Sequence, residues 1–157
     1  VTLFVSGCDH YCNGCQNPET WDTKSGIPFD NTAIEEIFKQ LDNDYISGIT
    51  FSGGDPLNEN NRVEVCSLIS KIKSRYGNSK SIWIYTGYTW NEIIEEAFPI
   101  LTDILLNTNV IVDGMFQKDL ADVNYHWAGS TNQRVIDVQR SLEEKKIVLY
   151  KDGINND

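Results

Sequence analysis

The sequence contains few basic residues and no long apolar run. Its 13 lysines and arginines are outnumbered by 23 aspartates and glutamates, which gives a formal net charge of −10. Such a protein repels phosphate backbones, so nucleic acid is not an expected partner. No apolar stretch approaches the roughly 18 residues of a membrane-spanning helix, and no basic segment precedes an apolar one as in a secretory signal. We therefore expect a soluble, cytoplasmic protein that binds neither nucleic acid nor membranes.

The sequence also lacks internal repeats of 20 to 50 residues. Hydrophobic residues make up 40% of the chain and charged residues 23%, values close to the globular average, which excludes general disorder. The length of 157 residues fits one domain over 1–157, because domains usually hold about 100 to 200 residues. The chain starts at Val1 inside a strand-like run, and we expect a short native segment before it.

Cysteine is scarce but clustered, since Cys8, Cys12 and Cys15 lie close together and the fourth is Cys66. A disulfide framework is one interpretation, but a chain of this size does not need one and the cytosol is reducing. A second interpretation is structural zinc, whose fourth ligand would be Cys66 or a histidine, His10 or His126.

A third interpretation of the three clustered cysteines is an iron–sulfur cluster. Its irons prefer thiolate ligands from a short, flexible loop, which residues 8–15 provide. Three thiolates on a four-iron cluster leave one iron without a protein ligand. An open metal position is where a substrate or cofactor binds in catalytic metal sites.

Short strands are predicted to alternate with helices along the chain. Capping-box spacings at Thr32-x-x-Glu35 and Thr89-x-x-Glu92 indicate two helix starts, and Pro99 interrupts the second helix, with a short helical turn from Ile100. Apolar periodicity predicts another helix over Asn61–Tyr76. β-Branched and aromatic runs predict strands at Thr2–Ser6, Gly48–Ser52, Ser81–Thr86, Val110–Val112, Val135–Val138 and Ile147–Tyr150.

This alternation predicts an α/β fold with a mainly parallel sheet, either an open, curved partial barrel or a doubly wound sheet. Ligands of such folds collect at the carboxyl edge of the strands. The cysteine loop, Gly53-Gly54-Asp55-Pro56, Thr86-Gly87-Tyr88 and Asp113-Gly114 each follow a predicted strand, so they should converge at one edge. That edge is the predicted active site.

Single residues outside the cysteine cluster have two interpretations each. The glycines at 53 and 54 form a tight turn or let a ligand approach backbone carbonyls. Asp113 is a turn residue or an acceptor for ribose hydroxyls or an amine. Arg134 pairs with a ligand carboxylate or with a surface acid. We interpret Cys66 as a core residue. His10 is an exposed loop residue, a hydrogen-bond donor to a cluster sulfide or a contact for a partner, and we prefer the first of these.

Aromatic and basic residues add two further expectations. Trp83, Trp90 and Trp127 are expected in the core or a groove, and Tyr11 could cover a cluster. Lys71, Lys73, Arg75 and Lys80 form a basic concentration, which we interpret as a solvated helix face, with a docking patch for an acidic electron donor as the alternative.

The cysteine spacing C-x3-C-x2-C after a first strand resembles the signature of the radical S-adenosylmethionine enzymes. Gly53-Gly54-Asp55-Pro56 resembles their Gly-Gly-Glu motif, with Asp55 in place of the usual Glu. Within this family the chain is similar to the small activating proteins of anaerobic ribonucleotide reductase over nearly its whole length. The matching segments are Val5-Ser6-Gly7-Cys8, Cys15-Gln16-Asn17, Trp83-Ile84-Tyr85-Thr86-Gly87-Tyr88, Val112-Asp113-Gly114 and Asn132-Gln133-Arg134-Val135-Ile136.

The resemblance implies an open partial (β/α) barrel of the radical S-adenosylmethionine type. It implies a [4Fe-4S] cluster held by Cys8, Cys12 and Cys15, with S-adenosylmethionine on the fourth iron. By motif position, the residues implied to line this cofactor are Gly14, Cys15, Gln16, Gly54 and Asp113.

The implied activity is reductive cleavage of S-adenosylmethionine to methionine and a 5′-deoxyadenosyl radical, which leaves a glycyl radical on the large reductase subunit. The implied electron donor is flavodoxin or a ferredoxin-like protein. Two enzymatic alternatives are an activase of pyruvate formate-lyase and a radical enzyme acting on a small molecule. A non-enzymatic alternative is a zinc-stabilised interaction module.

Overall fold

The computed structural model describes residues 1–15, 18–24, 26–27, 29–96, 98–122, 124 and 127–151. The described strands are β1 (Thr2–Val5), β2 (Gly48–Gly53), β3 (Ser81–Tyr85), β4 (Val110–Asp113) and β5 (Arg134–Asp137). The described α-helices are α1 (Asn31–Leu41), α2 (Arg62–Tyr76), α3 (Trp90–Glu96), α4 (Pro99–Leu106) and α5 (Val138–Glu144). Short 3₁₀ turns span Pro18–Thr20 and Lys118–Leu120.

The strands form one sheet in the order β1-β2-β3-β4-β5, in which β1 to β4 are parallel and β5 is antiparallel to β4. The predicted α/β class with a mainly parallel sheet is therefore confirmed. The doubly wound alternative is wrong, because strand order in that fold reverses at a switch point and here it follows the sequence. Among the described strands β1 and β5 are opposite edges, so the sheet is open and is not a closed barrel.

Local sequence explains where the helices start. The side chain of Asp30 caps α1 by accepting a hydrogen bond from the Ala33 amide, so the helix begins before the predicted cap at Thr32. Thr89 caps α3 as predicted, because its hydroxyl accepts from the Glu92 amide at 3.2 Å. Pro99 starts α4, where its fixed φ suits the first helical turn. The longest described helix, α2, has 15 residues, too few to cross a bilayer.

The core lies between the helices and one face of the sheet. Alternate residues of the strands point into it and are at most 1% exposed: Ile49, Phe51, Ile82, Ile84, Ile111 and Ile136. The helices cover them with Leu41, Leu68, Ile69, Ile72, Leu101, Ile104 and Val138. Because this face is covered and the strands are parallel, their carboxyl ends meet at one edge in fixed register.

The opposite face of the sheet carries an aromatic cluster. The ring of Trp83 meets that of Trp127 edge to face at 4.8 Å, and Tyr150 packs against both. The hydroxyl of Tyr85 donates to the carbonyl of Trp127 at 2.7 Å. Trp90, in contrast, belongs to the core.

The predicted strands near the carboxyl end need two corrections. The strand predicted at Val135–Val138 ends at Asp137, because Asp137 caps α5 and Val138 begins that helix. The strand predicted at Ile147–Tyr150 is a single bridge between Ile136 and Leu149, flanked by two hydrogen bonds to β5. This short segment covers the outer edge of β5, where only a few backbone groups remain to be paired.

Replacing Phe51 with Ala should destabilise the fold strongly. The side chain is fully buried in β2, so its removal leaves a cavity and should lower the free energy of unfolding by about 3 to 5 kcal/mol. The matched control is Tyr45→Ala, because Tyr45 is 82% exposed and its loss should cost less than about 0.5 kcal/mol. Urea unfolding followed by circular dichroism measures both values, and equal values would contradict the assigned core.

Candidate functional site

The loops after β1, β2, β3 and β4 meet at the carboxyl edge of the sheet, as the sequence predicts. We call residues 7–15 the cysteine loop and residues 54–61 the β2 loop. The amide of Gly54 donates to the Val5 carbonyl at 2.7 Å, and the amide of Asp55 donates to the Gly7 carbonyl at 2.7 Å. These two bonds fix the β2 loop against the base of the cysteine loop.

A second segment, around the 3₁₀ turn at Pro18–Thr20, closes the base of the cysteine loop. The amide of Gly7 donates to the Thr20 carbonyl at 2.6 Å, and the amide of Cys8 donates to the Trp21 carbonyl at 3.0 Å. Residues 9–15 make few backbone hydrogen bonds of their own among the described residues. One runs from the Cys15 amide to the Cys12 carbonyl at 3.1 Å. The cysteine loop is thus tied at its base and irregular at its tip.

The cysteine thiols differ in burial. Cys8 is 8% exposed, whereas Cys12 and Cys15 are partly exposed. Burial raises the pKa of Cys8 to about 11, and the neighbouring charges of Asp55, Cys12 and Cys15 add to this effect. Burial also raises the pKa of Cys12, against a backbone hydrogen bond from Phe116 that lowers it. Metal binding must therefore displace protons from these thiols.

The donor set of this loop fits an iron–sulfur cluster. Three thiols come from one irregular segment, and the charges of Cys12 and Cys15 contribute to the raised pKa of Cys8. Thiolates are the ligands that such clusters require. A second set of possible metal ligands also exists, since ligand atoms of Cys8, His10 and Asp55 all lie within 4.8 Å of one another. This second set favours zinc as the competing interpretation.

Asp55 is the most heavily engaged side chain of the site. Its carboxylate is 1% exposed and accepts hydrogen bonds from His10 Nε2 at 2.7 Å and from the Thr86 hydroxyl at 2.8 and 3.0 Å. It also accepts from the amides of Leu57 at 2.9 Å and Gly87 at 3.0 Å. One buried carboxylate therefore joins the cysteine loop, the β2 loop and the end of β3.

The expectation that His10 is an exposed loop residue is wrong. Its side chain is 13% exposed, and its ring meets that of Tyr88 edge to face at 4.7 Å. The hydrogen bond to Asp55 raises the pKa of His10. No local pattern signals this contact, because the two residues are 45 positions apart.

Close backbone approach explains the glycines of the β2 loop. A Cβ atom on Gly54 would lie 2.7 Å from the Gly7 carbonyl oxygen and 2.8 Å from that of Thr20. Gly53 has a φ of +98°, and a Cβ there would lie 2.5 Å from the backbone of Val5. Both glycines are thus required for the two loops to touch, whether or not a ligand approaches them. Gly14, with a φ of +75°, packs against the side chain of Lys118.

Asp113 has a structural role that the sequence did not predict. Its carboxylate is 1% exposed and accepts from the Trp90 amide at 2.8 Å and from the Arg134 guanidinium at 2.6 and 3.2 Å. These bonds give the Asp113 carboxylate structural partners, and its contact with ribose hydroxyls or an amine stays a prediction. Arg134 pairs with this buried carboxylate, and not with a surface acid as one of its two interpretations expected.

Other predicted residues lie away from the site or outside the described residues. Gln16 and His126 are outside the described part of the chain. Cys66 lies on α2 and packs against the core, as expected. Tyr11 is 61% exposed and contacts Trp21 edge to face at 5.1 Å. It therefore lies on the outer side of the cysteine loop.

The basic residues near α2 do not form one patch. Lys80 is 8% exposed and donates to the carbonyls of Asn43 and Ile46, so its charge is directed into the protein. Arg75 pairs with Asp42 at 2.8 Å and lies over the ring of Phe38. The alternative of a docking patch built from all four basic residues is therefore wrong.

Two asparagines of the β2 loop contribute to the site without having been predicted. The Asn61 amide group donates to the Ser6 carbonyl at 2.8 Å and to the Asp55 carbonyl at 2.9 Å. The Asn58 amide group donates to the Asp9 carboxylate at 3.0 Å. The run of asparagines after Pro56 was a signal, since such side chains commonly bond nearby backbone in loops.

The family-model comparison matches residues 1–136 to a 4Fe-4S single cluster domain. Curated relatives are named anaerobic ribonucleoside-triphosphate reductase-activating protein. The relative from Enterobacteria phage T4 is 39% identical over 135 residues, which cover 86% of this chain and 81% of the relative. The relative from Escherichia coli K12 is 40% identical over 136 residues, 85% of each chain. The relative from Pasteurella multocida is 38% identical over 134 residues, 84% of this chain and 83% of the relative. No solved structure matches.

Replacing Gly54 with Ala should lower the amount of iron that the cysteine loop holds. The added methyl group would push against the carbonyls of Gly7 and Thr20 and displace the base of the loop. Gly77→Ala is the matched control, because its φ of +58° makes alanine strained there while nothing lies within 4 Å, so its loss of stability should leave the cysteine loop unchanged. After anaerobic reconstitution with iron and sulfide, the Gly54 variant should retain less than about half of the wild-type iron, given an overpacking cost of about 1 to 3 kcal/mol. Equal iron contents in the two variants would contradict the packing argument.

Replacing Asp113 with Asn should destabilise the fold by about 1 to 3 kcal/mol, because it removes the charge of a 1% exposed carboxylate that pairs with a 37% exposed Arg134. The control is Asp42→Asn, whose pair with Arg75 is about half exposed and should contribute less than about 1 kcal/mol. Thermal and urea unfolding measure both effects. An Asp113 variant as stable as the wild type would favour the cofactor-contact interpretation.

Proposed function

Since the chain belongs to the 4Fe-4S single cluster domain family and, within it, to the anaerobic ribonucleoside-triphosphate reductase-activating proteins, we propose that it activates an anaerobic ribonucleotide reductase. Activation consists of forming a glycyl radical on the large reductase subunit. The observation that carries the proposal is the cysteine loop at the carboxyl edge of the sheet, in a chain about 40% identical to named activators.

In this proposal Cys8, Cys12 and Cys15 hold a [4Fe-4S] cluster, and the fourth iron binds S-adenosylmethionine. When bound, the cluster supplies the electron that splits this cofactor into methionine and a 5′-deoxyadenosyl radical, which removes the Cα hydrogen of the target glycine. The burial of Cys8 supports the proposal, because a reactive intermediate must be shielded from water.

The remaining residues of the site bind and orient. Gly14, Cys15, Gln16 and Gly54 are proposed to line the cofactor, with the carbonyl groups of the β2 loop accepting from its ammonium group. Asp113 is left out of this set, because its carboxylate is buried against Arg134. The sheet would then be an open partial barrel of the radical S-adenosylmethionine type, in which the cofactor lies across the carboxyl ends of the strands.

The target glycine lies in another protein, so the site must be open to a large partner. Exposed apolar side chains next to the site loops support this, since Tyr11 is 61% exposed and Met115 is 45% exposed. We propose the large reductase subunit as the partner at this edge and flavodoxin or a ferredoxin-like protein as electron donor. Both fit a protein that works under reducing conditions.

The experiment is anaerobic reconstitution followed by mixing with S-adenosylmethionine, a reductant and the large subunit of an anaerobic ribonucleotide reductase. A glycyl-radical signal in the electron paramagnetic resonance spectrum is expected with the reductase and not with pyruvate formate-lyase, tested in parallel. A colourless protein that binds zinc through Cys8, His10 and Asp55 and does not cleave the cofactor would overturn the proposal.

Replacing Cys12 with Ala should abolish cleavage of S-adenosylmethionine, because a cluster ligand is lost. Cys66→Ala is the matched control, since Cys66 packs against the core and its replacement should cost only about 1 to 2 kcal/mol of stability. Methionine release and bound iron are measured for both variants under anaerobic conditions. Wild-type cleavage by the Cys12 variant would refute its assignment as a ligand.

A further inference from the structure

His10 lies in the cysteine loop between two of the proposed ligands, and its ring is enclosed on several sides. Nε2 is 2.7 Å from the Asp55 carboxylate. The Tyr88 ring contacts it edge to face. Its third neighbour is Gly87, where an added Cβ atom would lie 2.7 Å from Nε2 and closer still to Cδ2. The absence of a side chain at residue 87 therefore makes room for the imidazole.

None of these neighbours belongs to the cysteine loop that carries His10. Asp55 is in the β2 loop, whereas Gly87 and Tyr88 follow β3. The Thr86 hydroxyl and the Gly87 amide also donate to Asp55, so the three segments share one set of hydrogen bonds. Moving the imidazole would leave an oxygen of a 1% exposed carboxylate with one donor fewer.

We propose that His10 is a positioning residue, whose imidazole, bonded to Asp55 and packed on Gly87, fixes the cysteine loop against the ends of β2 and β3. The contact sets where the proposed ligands Cys8 and Cys12 stand relative to the backbone of the β2 loop. Only the placement of the proposed ligands rests on the proposed function, because the contacts of His10 with Asp55 and Gly87 are present in the structure itself.

Two features favour a positioning role over metal ligation by His10. Nε2 is already engaged with Asp55, and the Asp55 oxygens accept further bonds from Thr86, Leu57 and Gly87. A carboxylate with these donors is better suited to orient an imidazole than to bind a metal.

The packing is tested in the protein without metal, by a double-mutant cycle between His10→Ala and Gly87→Ala. The φ of Gly87 lies outside the left-handed region, so an alanine there should clash with the imidazole and should not strain the backbone. In the wild-type background Gly87→Ala should lower the folding equilibrium constant about tenfold or more, and in the His10→Ala background less than about threefold. Gly77→Ala is the control and should cost the same in both backgrounds, since nothing lies near it.

Equal costs of Gly87→Ala in the two backgrounds would overturn the proposed packing. If Gly87→Ala does not fold alone, its recovery by the added His10→Ala change gives the same support. Failure of the double variant to fold while His10→Ala alone folds would count against the proposal.

The positioning role is tested in the reconstituted protein by the Michaelis constant for S-adenosylmethionine. His10→Ala should bind as much iron as the wild type but raise this constant about tenfold, with a smaller change in kcat. His10→Gln keeps a donor near the Nε2 position and should restore most of the loss. Loss of iron from His10→Ala would contradict a role limited to positioning, and an unchanged Michaelis constant would show that His10 positions nothing.

Failure of this proposal and of the proposed function can be told apart. If the wild-type protein does not cleave S-adenosylmethionine, the proposed function fails, while the unfolding cycle still decides the packing of His10. If the wild type cleaves the cofactor and the cycle shows no coupling between residues 10 and 87, the positioning role fails and the function stands.

Discussion

The site depends on one buried carboxylate. A carboxylate that is 1% exposed must be fully hydrogen-bonded, because an unpaired buried charge costs several kcal/mol. Asp55 meets this requirement by accepting from groups in three segments, the cysteine loop, its own β2 loop and the end of β3. The same bonds that satisfy Asp55 therefore hold the three segments together. Glycines at 54 and 87 make this possible, because a side chain at either position would separate the segments.

The helix-covered face of the sheet and its carboxyl edge have different roles. The helix-covered face of the sheet supplies stability and fixes the register of the parallel strands, so their carboxyl ends lie side by side. At that edge burial raises the pKa of Cys8 to about 11, with the charges of Asp55, Cys12 and Cys15 adding to the effect, so its thiolate is disfavoured without metal. Binding of a metal cluster would turn this unfavourable arrangement into a favourable one, because the positive irons compensate for thiolates that water no longer solvates.

Local patterns in the sequence predicted what depends on neighbouring residues. The cysteine spacing, the glycine pair after β2, the Thr89 cap and the break at Pro99 are all short-range signals. The sequence did not predict the contacts between distant residues, such as His10 with Asp55 and Asp113 with Arg134, because no local pattern encodes which loops meet. The same limit explains the strand expected at Ile147–Tyr150, where apolar periodicity was present but the available sheet edge was short.

The central claim is that three thiols of one loop hold a four-iron cluster with one iron open to S-adenosylmethionine. Mössbauer spectroscopy of ⁵⁷Fe-reconstituted protein, recorded with and without S-adenosylmethionine, tests it most directly. About a quarter of the iron signal should shift when the cofactor is added, because one iron in four would lack a protein ligand. A spectrum that is unchanged by the cofactor, with all irons equivalent, would contradict it.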